Sequence, residues 1–290
     1  MLKKLLLFML TTLFILGCGS DKSSSDKIKA AASFYPMAEF TRAIGGDLVV
    51  VDTLVPDGVE PHDWDPSPRD LTRLGKSKIF VYNGHIESWA ESALDALSER
   101  KITAVEAGHG LDKINGRIDP HIWISPAKAL IEVNKITEAF CKVDPQHADN
   151  YKQNSLKYSQ ELQKLDAELK ELSKTAKNKK FITAHAAFGH LAADYGLEQL
   201  AIAGISPEAE PTPKDLQRLV RLVKQEKLKY IFMETLASPK LTELISKETG
   251  AKILVLDPIE GLDEEGRKEK LTYVKLMQNN IKNLRLALNE

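Results

Sequence analysis

Between Asp144 and Asn178 the apolar residues recur in a 4,3,4,3 spacing that only a long helix can place on one side: Tyr151, Tyr158, Leu162, Leu165, Leu169 and Leu172, with Ser155 the one gap. Asp144 is suited to cap the first amides, Pro145 to take the first helical position, and Asn178 in a lysine-rich end to stop the helix. Such a helix runs roughly 45–50 Å at ~1.5 Å per residue. A coiled coil or an ordinary surface helix would show the same stripe. Here, however, both flanks alternate strand and helix patterns, which favours a strut joining two lobes. The histidines divide around it. His62, His85, His109 and His121 precede it, His185 and His190 follow it, and His147 lies within it.

Before the helix, strands are expected over residues 28–34, 48–54, 79–82 and 102–105, with helices over 36–44 and 87–97 and a further one opening at Ser67-Pro68-Arg69-Asp70. Ser125-Pro126 repeats that opening, and Ala129, Leu130, Val133, Ile136 and Phe140 form the face that follows. After it, strands are expected over 181–184, 199–203, 230–233 and 253–256. Helices over 188–195, from Thr212-Pro213-Lys214-Asp215, from Ser238-Pro239 and over 271–288 separate and follow them. Helices between strands imply parallel pairing and a covered sheet. The fold class is therefore α/β: two lobes, each a mainly parallel sheet flanked by helices, joined by one long rigid helix, with a site in the cleft between them. The echo of Ser67-Pro68-Arg69-Asp70 in Thr212-Pro213-Lys214-Asp215 suits either a duplicated unit or one helix-start chemistry used twice.

The 290 residues are enough for two cores, and a formal charge of −1 with lysine and glutamate interleaved gives no reason to expect a nucleic-acid partner. The start differs from the rest. Lys3 and Lys4 precede an apolar run over 5–16 that is too short to span a bilayer but the right size for a secretory signal. The run ends in Ile15-Leu16-Gly17-Cys18, which resembles a bacterial lipobox in which the cysteine is lipidated; Leu16 is larger than usual there. The expected organisation is a signal peptide over 1–17, a lipidated tether over 18–26, an N-terminal lobe over 27–143, the linking helix over 144–178 and a C-terminal lobe over 179–290. Cys141 is then the remaining cysteine, so there is no disulfide framework, and its helical neighbours suggest a buried thiol.

Three histidines stand at strand exits or strand-to-helix turns: His62 between Pro61 and Pro66, His121 after Asp119-Pro120, and His185 at the end of a strand. One such histidine is usually a hydrogen-bonded surface residue, but three in equivalent settings on both lobes suit a shared metal. Neutral imidazoles ligate zinc well, and a carboxylate from Asp257-Pro258-Ile259-Glu260 would complete a tetrahedron. Asp119 is better placed as an acceptor for a ring N–H than as a ligand.

Five segments together resemble the zinc- and manganese-binding solute-binding lipoproteins of bacterial ABC importers: Glu60-Pro61-His62 with Pro66-Ser67-Pro68, Asp119-Pro120-His121-Ile122-Trp123, His185 to Gly189, Gly204 to Pro211, and Asp257-Pro258. The resemblance covers nearly the whole mature chain. It implies metal ligands at His62, His121, His185 and Asp257, with Glu260 the rival for the fourth place. It also implies high-affinity extracytoplasmic capture of Zn²⁺, delivery to permease subunits, a monomer lipid-anchored through Cys18 to the cell membrane, and no enzymatic reaction. Manganese members tend to carry a carboxylate where His185 stands, so zinc is favoured. The rivals are a manganese carrier, an adhesion or host-binding lipoprotein, and, least favoured, a zinc hydrolase, for which there is no His-Glu-x-x-His pair. Two departures stand out. The loop from Gly108 to Arg117 lacks the long His-rich insertion of many zinc members, and the position of His190 is more often aromatic. His190 and His85 are therefore weak candidates for auxiliary ligands, while His109 and His147 are expected to be solvated.

Overall fold

The structure, a computed structural model, describes residues 27–207 and 211–290; the expected signal segment and Cys18 lie outside them. The chain begins with β1 (Ile28–Ala32), α1 (Tyr35–Gly45), β2 (Val49–Thr53), α2 (Pro68–Leu74), β3 (Ile79–Tyr82), α3 (Ala90–Ala96) and β4 (Thr103–Glu106). A short hairpin, β5 (Lys113–Ile114) and β6 (Arg117–Ile118), leads to α4 (Pro126–Val143) and the long α5 (Ala148–Thr175). The second half runs β7 (Lys180–Thr183), α6 (Gly189–Tyr195), β8 (Glu198–Ala201), α7 (Pro213–Gln225), β9 (Tyr230–Met233), α8 (Lys240–Thr249), β10 (Lys252–Val255), α9 (Glu264–Glu269) and α10 (Tyr273–Asn289). The first four strands form one parallel sheet in the order β2-β1-β3-β4. In the second half β7 pairs with β8 and β9 with β10, both parallel, and β7 lies beside β9. No helix among the described residues is long and apolar enough to cross a membrane.

The same start chemistry opens α2 and α7. Ser67 and Thr212 each accept from the amide three residues on, and Asp70 and Asp215 reach back to the cap amide. At α4 the pattern misleads. Ser125 makes no capping bond, and its hydroxyl donates instead to Asp194 at 2.6 Å. The long helix also starts later than its sequence suggests, because residues 145–147 form a 3-10 turn. The Asp144 carboxylate accepts from His147 and Tyr151 rather than capping α5. Two elements escape periodicity altogether. The β5–β6 turn is carried by Asn115 and Gly116, both at positive φ, and α9 is too charged to show an apolar face.

The stripe on α5 is buried as its spacing requires, at Tyr151, Ser155, Leu162, Leu165, Leu169 and Leu172, while Tyr158 is half-buried. Its neighbours come from both halves, since α1, α4 and α10 all pack on it. A single apolar cluster runs from Phe34, Phe40, Trp123 and Phe140 through the α5 leucines to Phe181, Phe188, Phe232 and Leu284. At about 1.5–3 kcal/mol per buried leucine, the four α5 leucines contribute to a cluster shared by both halves. The helix thus packs against helices of both halves, α1 and α4 from the first and α6 and α10 from the second. Cys141 is half-buried, with Sγ near the Ala148 carbonyl.

Glu132 of α4 is wholly buried in this region, and neither carboxyl oxygen has a partner among the described residues. Burial pushes its pKa up to about 8 against the pull of Lys135, so near neutrality it is an uncharged acid. A raised carboxyl costs nothing below about pH 4.5 and destabilises the fold increasingly as the pH climbs through about 8. Glu132→Gln should therefore raise the thermal midpoint of the metal-free protein at alkaline pH, by about 1–3 kcal/mol in stability, and change it little near pH 5. An equal difference at both pH values would contradict a buried acid at this position.

Candidate metal centre

Four loops that leave strand ends converge on one point. His62 lies in the turn Pro61–Asp63 beyond β2, and His121 directly precedes the turn Ile122–Ile124. His185 follows β7 by two residues, and Glu260 follows β10 by five. Each imidazole presents Nε2: His62 and His121 approach to 3.2 Å, and His121 and His185 to 3.4 Å. Glu260 Oε1 stands 3.5 Å from His62, 3.4 Å from His121 and 3.5 Å from His185. These contacts are too long for good hydrogen bonds, and this buried oxygen has no partner among the described residues. A zinc ion bound at ~2.0–2.1 Å by four donors would hold them about 3.3–3.4 Å apart along the edges of a tetrahedron. Five of the six donor–donor distances are close to the edges of such a tetrahedron, and three imidazoles with one carboxylate suit zinc better than manganese. The side chain of His62 is 10% exposed and those of the other three at most 1%, so the His62 side is the way in.

Carboxylates orient the rings. Asp119 Oδ1 accepts from the His121 amide at 3.0 Å and from Nδ1 at 2.8 Å. Glu234, directly after β9, accepts from the His185 amide at 2.9 Å and makes a very short contact with Nδ1. With Nδ1 donating to a carboxylate, Nε2 is the ring atom turned toward the shared point in both rings. Glu60 accepts from the His62 amide at 3.3 Å, and with Ala184 it lines a cavity of about 400 Å³ beside the site. Trp123 Nε1 donates to the Pro258 carbonyl at 2.8 Å, tying the His121 turn to the Glu260 loop. Gly189 is required by space, since a Cβ there would stand 2.3 Å from Asp119 Oδ2.

Burial and the facing charges pull the groups of the centre in opposite directions. Burial works to raise the Glu260 carboxyl, but the three imidazoles facing it hold it well below the usual range. Burial works to lower His121 and His185, but Asp119 and Glu260 lift the first, and Glu234 and Glu260 lift the second to about 10. Burial and the negative charge of Glu260 push Glu60 up to about 8. Asp119 lies below its ordinary value because its bonds to His121 outweigh burial.

Of the candidate residues, His62, His121, His185 and Glu260 come together, and Asp119 lies behind His121, bonded to its Nδ1. Asp257, the first choice for the fourth position, is not in the group. Its Oδ1 accepts from the Ile259 amide at 2.7 Å, its own amide is held by Asn280, and it faces a separate pocket beside α9 and α10. It therefore shapes the turn that delivers Glu260. His190 is fully buried against the Asp119 carbonyl and points away from the group. His85 pairs with Asp112, and the exposed His109 pairs with Glu106. His147 is half-buried against Asp144 instead of solvated. Glu234 and Glu60 were not singled out from the sequence. Glu234 could have been, since a carboxylate directly after a buried strand stands in the same setting as His185.

Two parallel sheets that present three imidazoles and a carboxylate to one point define an α/β metal-binding protein with its site between the sheets. Residues 31–287 match the family described as ZnuA, zinc-uptake complex component A, periplasmic. The chain belongs to that family. It is similar to the high-affinity zinc uptake system protein ZnuA of Bacillus subtilis, 38% identical over 93% of this chain and 90% of that protein. It is also similar to the zinc-binding lipoprotein AdcA of Streptococcus pneumoniae, 36% identical over 99% of this chain but 61% of that longer protein. The crystal structure of the Zn(II)-bound ZnuA-like domain of Streptococcus pneumoniae AdcA superposes with a TM-score of 0.82 at 38% identity, covering 91% of this chain and all of that one.

Two outcomes follow from this geometry. Carboxylates lift the basicity of His121 and His185, and zinc competes with protons for these rings, so apparent affinity should rise with pH across the neutral range, and calorimetry in buffers of different ionisation enthalpy should register proton release. Binding without proton release would contradict the raised imidazoles. Gly189→Ala should drive Asp119 off His121 and weaken zinc about 10–100-fold in a chelator competition, the range for loss of a supporting partner.

Proposed function

We propose that this protein captures Zn²⁺ outside the cytoplasm through His62, His121, His185 and Glu260 and hands it to the membrane subunits of an ABC-type permease. The observation that carries this reading is the buried Glu260 oxygen, standing at near-equal distance from three imidazole nitrogens with no other partner among the described residues. Asp119 and Glu234 hold the rings, and residues 27–143 and 179–290 act as the two lobes that share the ion. A lipid on Cys18 keeps the protein, a monomer, at the cell surface. No reaction is catalysed: a fourth protein ligand leaves no open position for a zinc-bound water, which a hydrolase would require.

Elemental analysis of protein purified without added metal should return close to one zinc per chain; manganese in its place would move the reading to the other branch of the family. In calorimetric titrations His62→Ala, His121→Ala and Glu260→Ala should each lose orders of magnitude in zinc affinity. Asp257→Asn, which keeps the acceptor for Ile259, should stay within about threefold of the parent, since it removes only a charge outside the shell. A loss as large as that of Glu260→Ala would return Asp257 to the shell.

A further inference from the structure

Behind His121 a second set of polar groups joins α4 to α6. His190 Nε2 lies 2.8 Å from the Asp119 carbonyl oxygen. A carbonyl only accepts, so Nε2 carries the hydrogen and donates. The neutral ring then offers Nδ1 as an acceptor, and the Lys128 ammonium, a donor only, stands 2.6 Å from it. This tautomer is opposite to that of His121 and His185, whose Nδ1–H groups face carboxylates. Lys128 also donates to Asp194 Oδ1 at 3.1 Å, and the Ser125 hydroxyl donates to Asp194 Oδ2 at 2.6 Å.

Ser125 and Lys128 belong to the start of α4, before the long helix, whereas His190 and Asp194 belong to α6, after it. The run Ser125, Asp194, Lys128, His190 therefore crosses between the halves of the molecule and ends on Asp119. That residue gives its carbonyl to His190 and its carboxylate to His121. Gly189, the first residue of α6, is the one pressed against the Asp119 carboxylate. An aromatic side chain at 190 would fill the same buried space, but it would leave the Asp119 carbonyl without this donor and Lys128 without this acceptor. Space filling alone does not call for an imidazole here.

We propose that Ser125, Asp194, Lys128 and His190 form a latch between the two halves that fixes Asp119, and through it the ring of His121, so that the rate of zinc release is set by the latch. His190 is its central positioning residue. The latch rests on the reading of His121 as a zinc ligand, and the two ideas fail differently. Unchanged zinc affinity in His121→Ala would end the ligand reading.

The latch is tested by stopped-flow release of zinc into excess chelator, with the thermal midpoint of each metal-free variant measured alongside. His190→Phe, Lys128→Met and Asp194→Asn should each release zinc faster, about 10–100-fold for the first two. His190→Gln retains an amide N–H for Asp119 and an oxygen for Lys128, and should release zinc within about threefold of the parent. It should do so even though it packs less well than phenylalanine and melts lower. Retention that follows hydrogen bonding and not melting temperature supports the latch. Parental release from His190→Phe and Lys128→Met, or release from His190→Gln as fast as from His190→Phe, would overturn it. Should His190→Phe not fold, Lys128→Met and Asp194→Asn decide the matter, since both sites are partly open to solvent.

Discussion

Two imidazole nitrogens stand 3.2 Å apart at the centre, and only a proton or a cation between them reconciles two such acceptors at that distance. The rest of the centre is organised around that constraint. Carboxylates behind His121 and His185 take the Nδ1 hydrogens and so keep Nε2 turned inward. Glu260 brings negative charge to the same point, where a proton or a cation lowers the energy of all four groups. The supporting carboxylates are what make the arrangement specific, because free rings would turn away from one another. In this sense the protein spends part of its folding energy holding together groups that would separate without a cation.

That energy comes from the apolar spine. The leucines of α5 pack with aromatic residues from both sheets in one cluster, while smaller clusters cover the outer faces of each half. Shared packing limits how far the halves can swing without opening core contacts, which separates this arrangement from a domain pair hung on a flexible linker. The Trp123 bond to Pro258 and the Tyr273 bond to the Trp123 carbonyl at 2.5 Å place further cross-links directly below the site. The donor positions are thus set by packing on one side and by buried hydrogen bonds on the other.

Much of this was legible in the sequence where a pattern is local. The α5 stripe, the capping boxes at Ser67 and Thr212, and the three histidines at strand exits all depend on residues within a few positions of one another. What was not legible depends on partners far along the chain. Ser125 has the local form of a cap, yet its hydroxyl goes to Asp194, 69 residues away. Asp257 and Glu260 are chemically equivalent candidates in one turn, and only the path of that turn, set by the Asp257 bond to Ile259, decides which carboxylate faces inward. The family resemblance supplied both names but could not choose between them. Glu234 is marked only by its place directly after a buried strand, and its partner His185 lies 49 residues away.

The four inward-facing donors are spread over nearly 200 residues, with Glu260 close to the end of the chain and His62 near its start. In an extended or partly made chain these groups are separate weak ligands, and gathering them costs the closure entropy of loops tens of residues long. A stray ion therefore has little to hold until both halves have packed around α5. Tight metal binding becomes a sign that folding is complete.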